Sequence, residues 1–252
     1  MKKLILLALS IALFAQSSAY SADLDQGIYE LNRGEFRAAI AEFEPLVAEQ
    51  YAPAQYQMGL IYLNGYGVIK NAKKALELFN LAAAQNYPDA LFDLSLLYSE
   101  GEVTKQDLKT AYALMEKAAN KDLPRAQFNL GVMLYNGNGI ERNYLQASRW
   151  YQKAADQNYA LAQFNLALMY FEGKGLPQST EMSYIWNIIA AKNGYRAAEK
   201  SRDMDEYKLS VEQIKTAREK GASYNVCLLQ IHIKQQRLTL FQGKPRGYDY
   251  NK

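Results

Sequence analysis

The chain of 252 residues carries one cysteine, Cys227, and one histidine, His232. A single Cys excludes an internal disulfide, so packing alone must hold the fold, and burial as a small apolar residue suits Cys227. With no second His and one distant Cys, neither a His-based triad, a thiolate–imidazole pair nor a His/Cys zinc site can be assembled. No Ser is followed three residues later by Lys, which removes Ser–Lys acylation chemistry. Charge of one sign is also lacking: 29 Lys and Arg face 26 Asp and Glu, a balance that argues against nucleic acid as the main partner. Long apolar runs are absent except near the start, where LILLALSIALFA (4–15) is too short to span a bilayer.

That run follows the basic Lys2 and Lys3 and precedes Ser17 and Ala19, small residues at the −3 and −1 positions of a cleavage site before Tyr20. The pattern predicts a secretory signal peptide over 1–19. Without it the basic count falls to 27 against 26, a net charge of about +1. The expected location is the periplasm, with release from the cell as a variant, and no stable membrane insertion follows cleavage.

What the chain does have is repetition. AQFNLGVMLYNGNG (126–139) returns 36 residues later as AQFNLALMYFEGKG (162–175). The same step aligns Ala54, Ala90, Ala126 and Ala162, then Gly59, Ser95, Gly131 and Ala167, then Ala75, Ala111, Ala147 and Ser183. Four units result, 54–89, 90–125, 126–161 and 162–197, and a period of this size signals stacked supersecondary units.

Each unit reads as two helices, the first the shorter. Asn71, Asp107, Asn143 and Ser179 share a column, and all are residues whose side chains cap free helix N–H groups. Fifteen residues on, Asn86, Asp122, Asn158 and Gly194 form a stop column of types that tolerate left-handed backbone. Between the helices lie GYG (65–67), GNG (137–139) and GKG (173–175), while the second unit has Gly101-Glu102-Val103 and is expected to turn differently. These loops lack the Lys-Ser/Thr ending and preceding strand of a phosphate cradle.

The columns Ala126-x-x-x-Leu130-Gly131, Gly137-x-Gly139, Ala147-x-x-Trp150-Tyr151 and Ala154-Ala155 resemble the SEL-one-like repeat, a relative of the tetratricopeptide repeat. The resemblance implies an all-α fold, a right-handed α-solenoid of antiparallel helix pairs. Residues 23–53 look like a shorter N-terminal repeat of the tetratricopeptide kind. Capping helices are expected over 198–221, where Ser210 and Gln213 suit a helix start and Gly221 its stop. In the tail, 222–252, alternating Leu229, Ile231 and Ile233 fit a small hairpin; a tail without regular structure is the alternative.

Stacked pairs expose a concave face built from the first helices. In tetratricopeptide-like frames that face takes Tyr56, Phe92, Phe128 and Phe164, and further along Leu63, Tyr135, Phe171, Asn136 and Glu172. Packing of the Phe column between the helices of each unit is the competing reading. The implied function is a non-catalytic scaffold holding another envelope protein or peptide, with the chain a monomer and no cofactor or metal. A cell-wall factor that binds or trims peptidoglycan is the alternative. Paired carboxylates such as Glu100 and Glu102 sit at turns, where solvated charge is the ordinary explanation, so no enzyme is expected.

Overall fold

A computed structural model describes residues 22–224. All the regular structure among them is helical. The expected signal segment, Cys227, His232 and nearly all of the tail lie outside the described residues. Two compact units divide the chain, one ending at Ala90 and the other beginning at Leu91.

The first unit contains α1 (Leu24–Asn32), α2 (Phe36–Ala48), α3 (Ala52–Asn64) and α4 (Ala72–Ala84), ending in the first turn of α5 (Pro88–Glu100). Phe43, Met58, Ile61 and Leu78 form its core, with Leu24, Ile28 and Leu46 packed around them. The second unit takes the rest of α5 and continues through α6 (Leu108–Ala119), α7 (Pro124–Asn136), α8 (Tyr144–Asp156), α9 (Ala160–Glu172), α10 (Thr180–Lys192) and α11 (Ala197–Glu206). A last helix, α12, covers 211–224.

The fold is an all-α solenoid of helix pairs. The helix pair of each 36-residue unit begins two residues before the leading Ala, at Ala52 rather than Ala54, with Pro53 in the first turn of α3. Proline suits this position because its missing N–H is one the helix leaves unpaired anyway. The first helix is therefore not the shorter one, for α3 and α4 each have 13 residues.

The cap column opens the second helices. Asn71 accepts from the Lys74 N–H at 3.0 Å, Asp107 from Thr110 at 3.0 Å, Asn143 from Gln146 at 2.9 Å, and Ser179 from Met182 at 3.1 Å. The same residues donate their own N–H groups back to the first helix, Asn143 to the Leu134 carbonyl at 2.8 Å and Ser179 to Tyr170 at 2.8 Å. At the stop column, Asn86, Asp122, Asn158 and Gly194 have φ of 60°, 59°, 63° and 94°. Gln50 joins them at 61° and closes the N-terminal repeat in the same way.

The turn glycines do two jobs. Gly137 ends α7 in the left-handed region at φ 81°, whereas a Cβ on Gly139 would strike the Leu108 carbonyl at the start of the preceding repeat's second helix. In the second repeat Gly101 keeps its φ of 76°. Val103 replaces the second glycine there, and the loop instead bonds Thr104 Oγ1 to the Leu97 carbonyl at 3.4 Å.

Small residues inside the first helices admit rings. A Cβ on Gly59 would lie 2.5 Å from the Phe79 ring, and one on Gly131 would lie 2.6 Å from that of Tyr151. Gly221 is buried within α12 against Ile188, with room for a Cβ at ordinary contact distance, rather than being the helix stop expected of it. Tyr224, one helix turn on, meets Trp186 edge-on at 4.9 Å and hydrogen-bonds Asp156 and Gln152, tying α12 to α8 and α10. No helix among the described residues is long and apolar enough to cross a membrane.

Candidate partner-binding site

The aromatic column expected on the concave face is largely interior. Tyr56 and Phe92 are buried. Tyr56 sits between Phe79, with ring centroids 5.7 Å apart, and Tyr87 at 5.4 Å. Phe128 repeats this against Tyr151 at 5.7 Å and Tyr159 at 5.3 Å, and Phe164 meets Tyr195 at 4.9 Å. Phe92 lies under the Arg125 guanidinium at 4.2 Å. Tyr56 and Phe128 thus pack between their own repeat's second helix and the start of the next repeat, although Phe128, like Phe164, is only half-buried. Leu63 is half-buried, and Asn136 is exposed at the helix end.

The outer positions fare differently. The Tyr135 hydroxyl donates to Glu172 at 3.0 Å, Lys174 Nζ reaches that hydroxyl at 3.2 Å and Glu172 at 3.0 Å, and the Tyr135 ring meets Tyr144 edge-on at 4.9 Å. Burial pushes the Tyr135 phenol up, while the Glu172 carboxylate raises the Lys174 ammonium. Tyr135 is therefore a strut joining the ends of α7 and α9, not a free anchor. Tyr151 beside it is raised to about 12 by burial.

Phe171 remains available. It is 39% exposed, as Leu168 is at 38% one helix turn earlier. Both border a cavity of about 320 Å³ between α9, α10 and α11, whose other walls include Met204, 52% exposed, and Lys208. Lys208 Nζ lies over the Phe171 ring, 4.2 Å from its centroid.

Three buried polar residues lie beneath this rim. Asp205 is 2% exposed, and its Oδ2 accepts from Ser183 Oγ at 2.7 Å and Asn187 Nδ2 at 2.9 Å. Burial raises the Asp205 carboxyl above its ordinary value, opposed by those two hydrogen bonds and the charge of Lys208. Sequence reasoning missed this trio, although the signal was present. Ser183 stands in the Ala75, Ala111 and Ala147 column, Asn187 in that of Phe79, Met115 and Tyr151, and Asp205 in that of Ile61, Leu97, Met133 and Met169. Three apolar columns turn polar at one place. The leading-Ala column also runs one step further, to the fully buried Ala198, so α11 is a fifth first helix.

No group of three or more His, Cys, Asp or Glu among the described residues is arranged to hold a metal ion. The arrangement offers apolar contact and hydrogen bonding.

No curated protein matches this chain. Among solved structures it is similar to a Sel1 repeat protein from Oxalobacter formigenes, with 27% identity over 71% of this chain and 74% of that one and a TM-score of 0.67. The protective antigen c5321 of uropathogenic Escherichia coli, which displays the SLR fold, matches at 22% identity and a TM-score of 0.53. That likeness covers 94% of this chain and 60% of the antigen. The Sel1 repeat family itself matches at 52–87, 88–123, 124–159 and 160–195, each start coinciding with the first residue of α3, α5, α7 or α9. Sel1 repeat proteins generally mediate protein–protein interaction, and the family is typically non-catalytic. With four consecutive matches across more than half its length, the chain belongs to the Sel1 repeat family.

Proposed function

We propose that the chain is exported to the periplasm and works there as a non-catalytic scaffold, gripping a partner protein or peptide on the concave, first-helix face at its C-terminal end. One observation carries the reading. Every ring of α3, α5, α7 and α9 but Phe171 is buried or half-buried, whereas Phe171 and its neighbour Leu168 are exposed beside a cavity that Met204 extends. Contiguous apolar surface bordering a cavity marks a contact site. Family membership supports the activity class, and the basic, then apolar, then small-residue start of the sequence supports export.

Capture from envelope extract tests it, with Phe171→Ala and Leu168→Ala as the variants and purified sacculi as the competing ligand. Recovery of a protein that both variants lose supports the scaffold. Retention on sacculi, with no protein dependent on Phe171, would shift the reading to a cell-wall factor.

A further inference from the structure

The trio under the rim has hydrogen-bonding capacity left over, and all of it is of one kind. Both bonds to Asp205 are accepted by Oδ2, leaving Oδ1 for another donor. Asn187 commits its Nδ2 to that carboxylate, while its Oδ1 is buried with no partner among the described residues. Ser183 spends its hydroxyl proton on Asp205. The floor of the cavity therefore offers acceptors and a negative charge, with no donor to spare.

A carboxylate at 2% exposure is costly unless donors or a cation compensate it. The same position holds Ile61, Leu97, Met133 and Met169 in the other repeats, all buried, so packing alone does not require a charge there. The walls are apolar: Leu168, Phe171 and Met204 suit a run of methylenes. The Phe171 face already takes an ammonium, that of Lys208, which is itself exposed at the mouth.

We propose that this cavity is a receptor for one basic side chain, lysine or arginine, of the partner protein: its stem lies along Leu168, Phe171 and Met204, and its cationic head reaches the Asp205–Asn187 floor in place of Lys208 at the ring. The inference rests on the partner-binding reading above and names the group that the face grips. It is carried by charge complementarity, since an aliphatic or acidic side chain would leave the buried acceptors unmet and a neutral donor would leave the carboxylate charge unpaired.

The test titrates the full chain with Nα-acetyl-lysine methylamide, its norleucine counterpart of similar length without charge, and its glutamate counterpart, following backbone amide shifts. The lysine probe should move amides of 168–172 and 201–208 saturably and bind at least tenfold more tightly than norleucine, with glutamate silent. Asp205→Asn should cost at least tenfold in lysine affinity. Met204→Lys should do the same from the exposed rim, where the core is untouched, so misfolding cannot mimic the result. Equal affinity for norleucine, no saturable response to the lysine probe, or full lysine binding by both variants would overturn the inference. Should a captured partner still depend on Phe171 while the lysine probe fails, the scaffold stands and the basic receptor falls. Should the probe bind while no captured protein needs Phe171, the receptor stands and the scaffold reading falls.

Discussion

Ser183 Oγ donates to Asp205 Oδ2 at 2.7 Å, joining α10 to α11 across 22 residues of sequence. The 36-residue repeats before them put Ala in the first of these columns and Ile, Leu or Met in the second. Burial holds the Asp205 carboxyl above 3.8 in the folded chain. A group raised on folding contributes stability that is full below its unfolded value and lost as pH rises through the folded one. Asp205→Asn removes that titration. The melting temperature of the variant minus that of wild type should therefore grow as pH is raised from below 3.8 and then level off. A difference that shrinks over the same range would show that the carboxylate is favoured, not penalised, by its site.

Gly131 lets the Tyr151 ring approach α7, and a Cβ there would sit 2.6 Å from it. Gly131→Leu should lower stability by about 1–3 kcal/mol or more through overpacking. Asn138, exposed in the turn, should accept the same residue almost silently. Thermal unfolding of the two variants side by side checks the assigned frame; equal shifts would contradict it.

Asn143 caps α8 through the Gln146 N–H at 2.9 Å. Asn143→Ala should cost about 1 kcal/mol, measurable by denaturant unfolding. No loss would mean that another acceptor serves that amide.

Phe128 and Phe171 should part company. Phe128, enclosed by Tyr151 and Tyr159, should lose about 3 kcal/mol of stability on truncation to Ala. Phe171→Ala should leave melting nearly unchanged and weaken a captured partner by about 2 kcal/mol. Lys117→Ala, on the exposed side of a second helix, serves as control. A Phe171 variant that melts early but binds normally would reverse the two roles.

Export makes a chemical prediction as well. Protein recovered from the envelope should begin at Tyr20 or within about three residues of it, by intact mass. A retained Met1 would remove the periplasmic assignment.

The repeats and their punctuation were legible because their causes are local. A cap needs an oxygen three residues from an amide, as Asn71 has in Lys74, and a stop needs a residue tolerant of positive φ, as Asn158 is at 63°. The direction of the aromatic column was not legible. Tyr56 and Phe128 point inward because Tyr87 and Tyr159, 31 residues later in each case, close over them. Tyr135 looked free for the same reason, since its partners Glu172 and Lys174 belong to the next repeat. The polar trio was readable in principle, because Asp205 keeps the 36-residue step from Met169. Its frame was lost to view where the glycine turns end.

The amide pairs carry one more consequence. Gln85 Nε2 donates to Gln55 Oε1 at 2.9 Å, Gln157 to Gln127 at 2.8 Å, and Asn193 Nδ2 to Gln163 at 2.9 Å, each spanning 30 residues. Thirty is shorter than the period, so each pair opens and closes inside a single copy of the repeat. A whole copy can be gained or lost by recombination without orphaning either member, while a cut that takes only one end of a copy strands its partner. The second copy, with Leu91 and Lys121 at these positions, has surrendered that clasp, which makes it the module where hydrogen exchange should report the first opening.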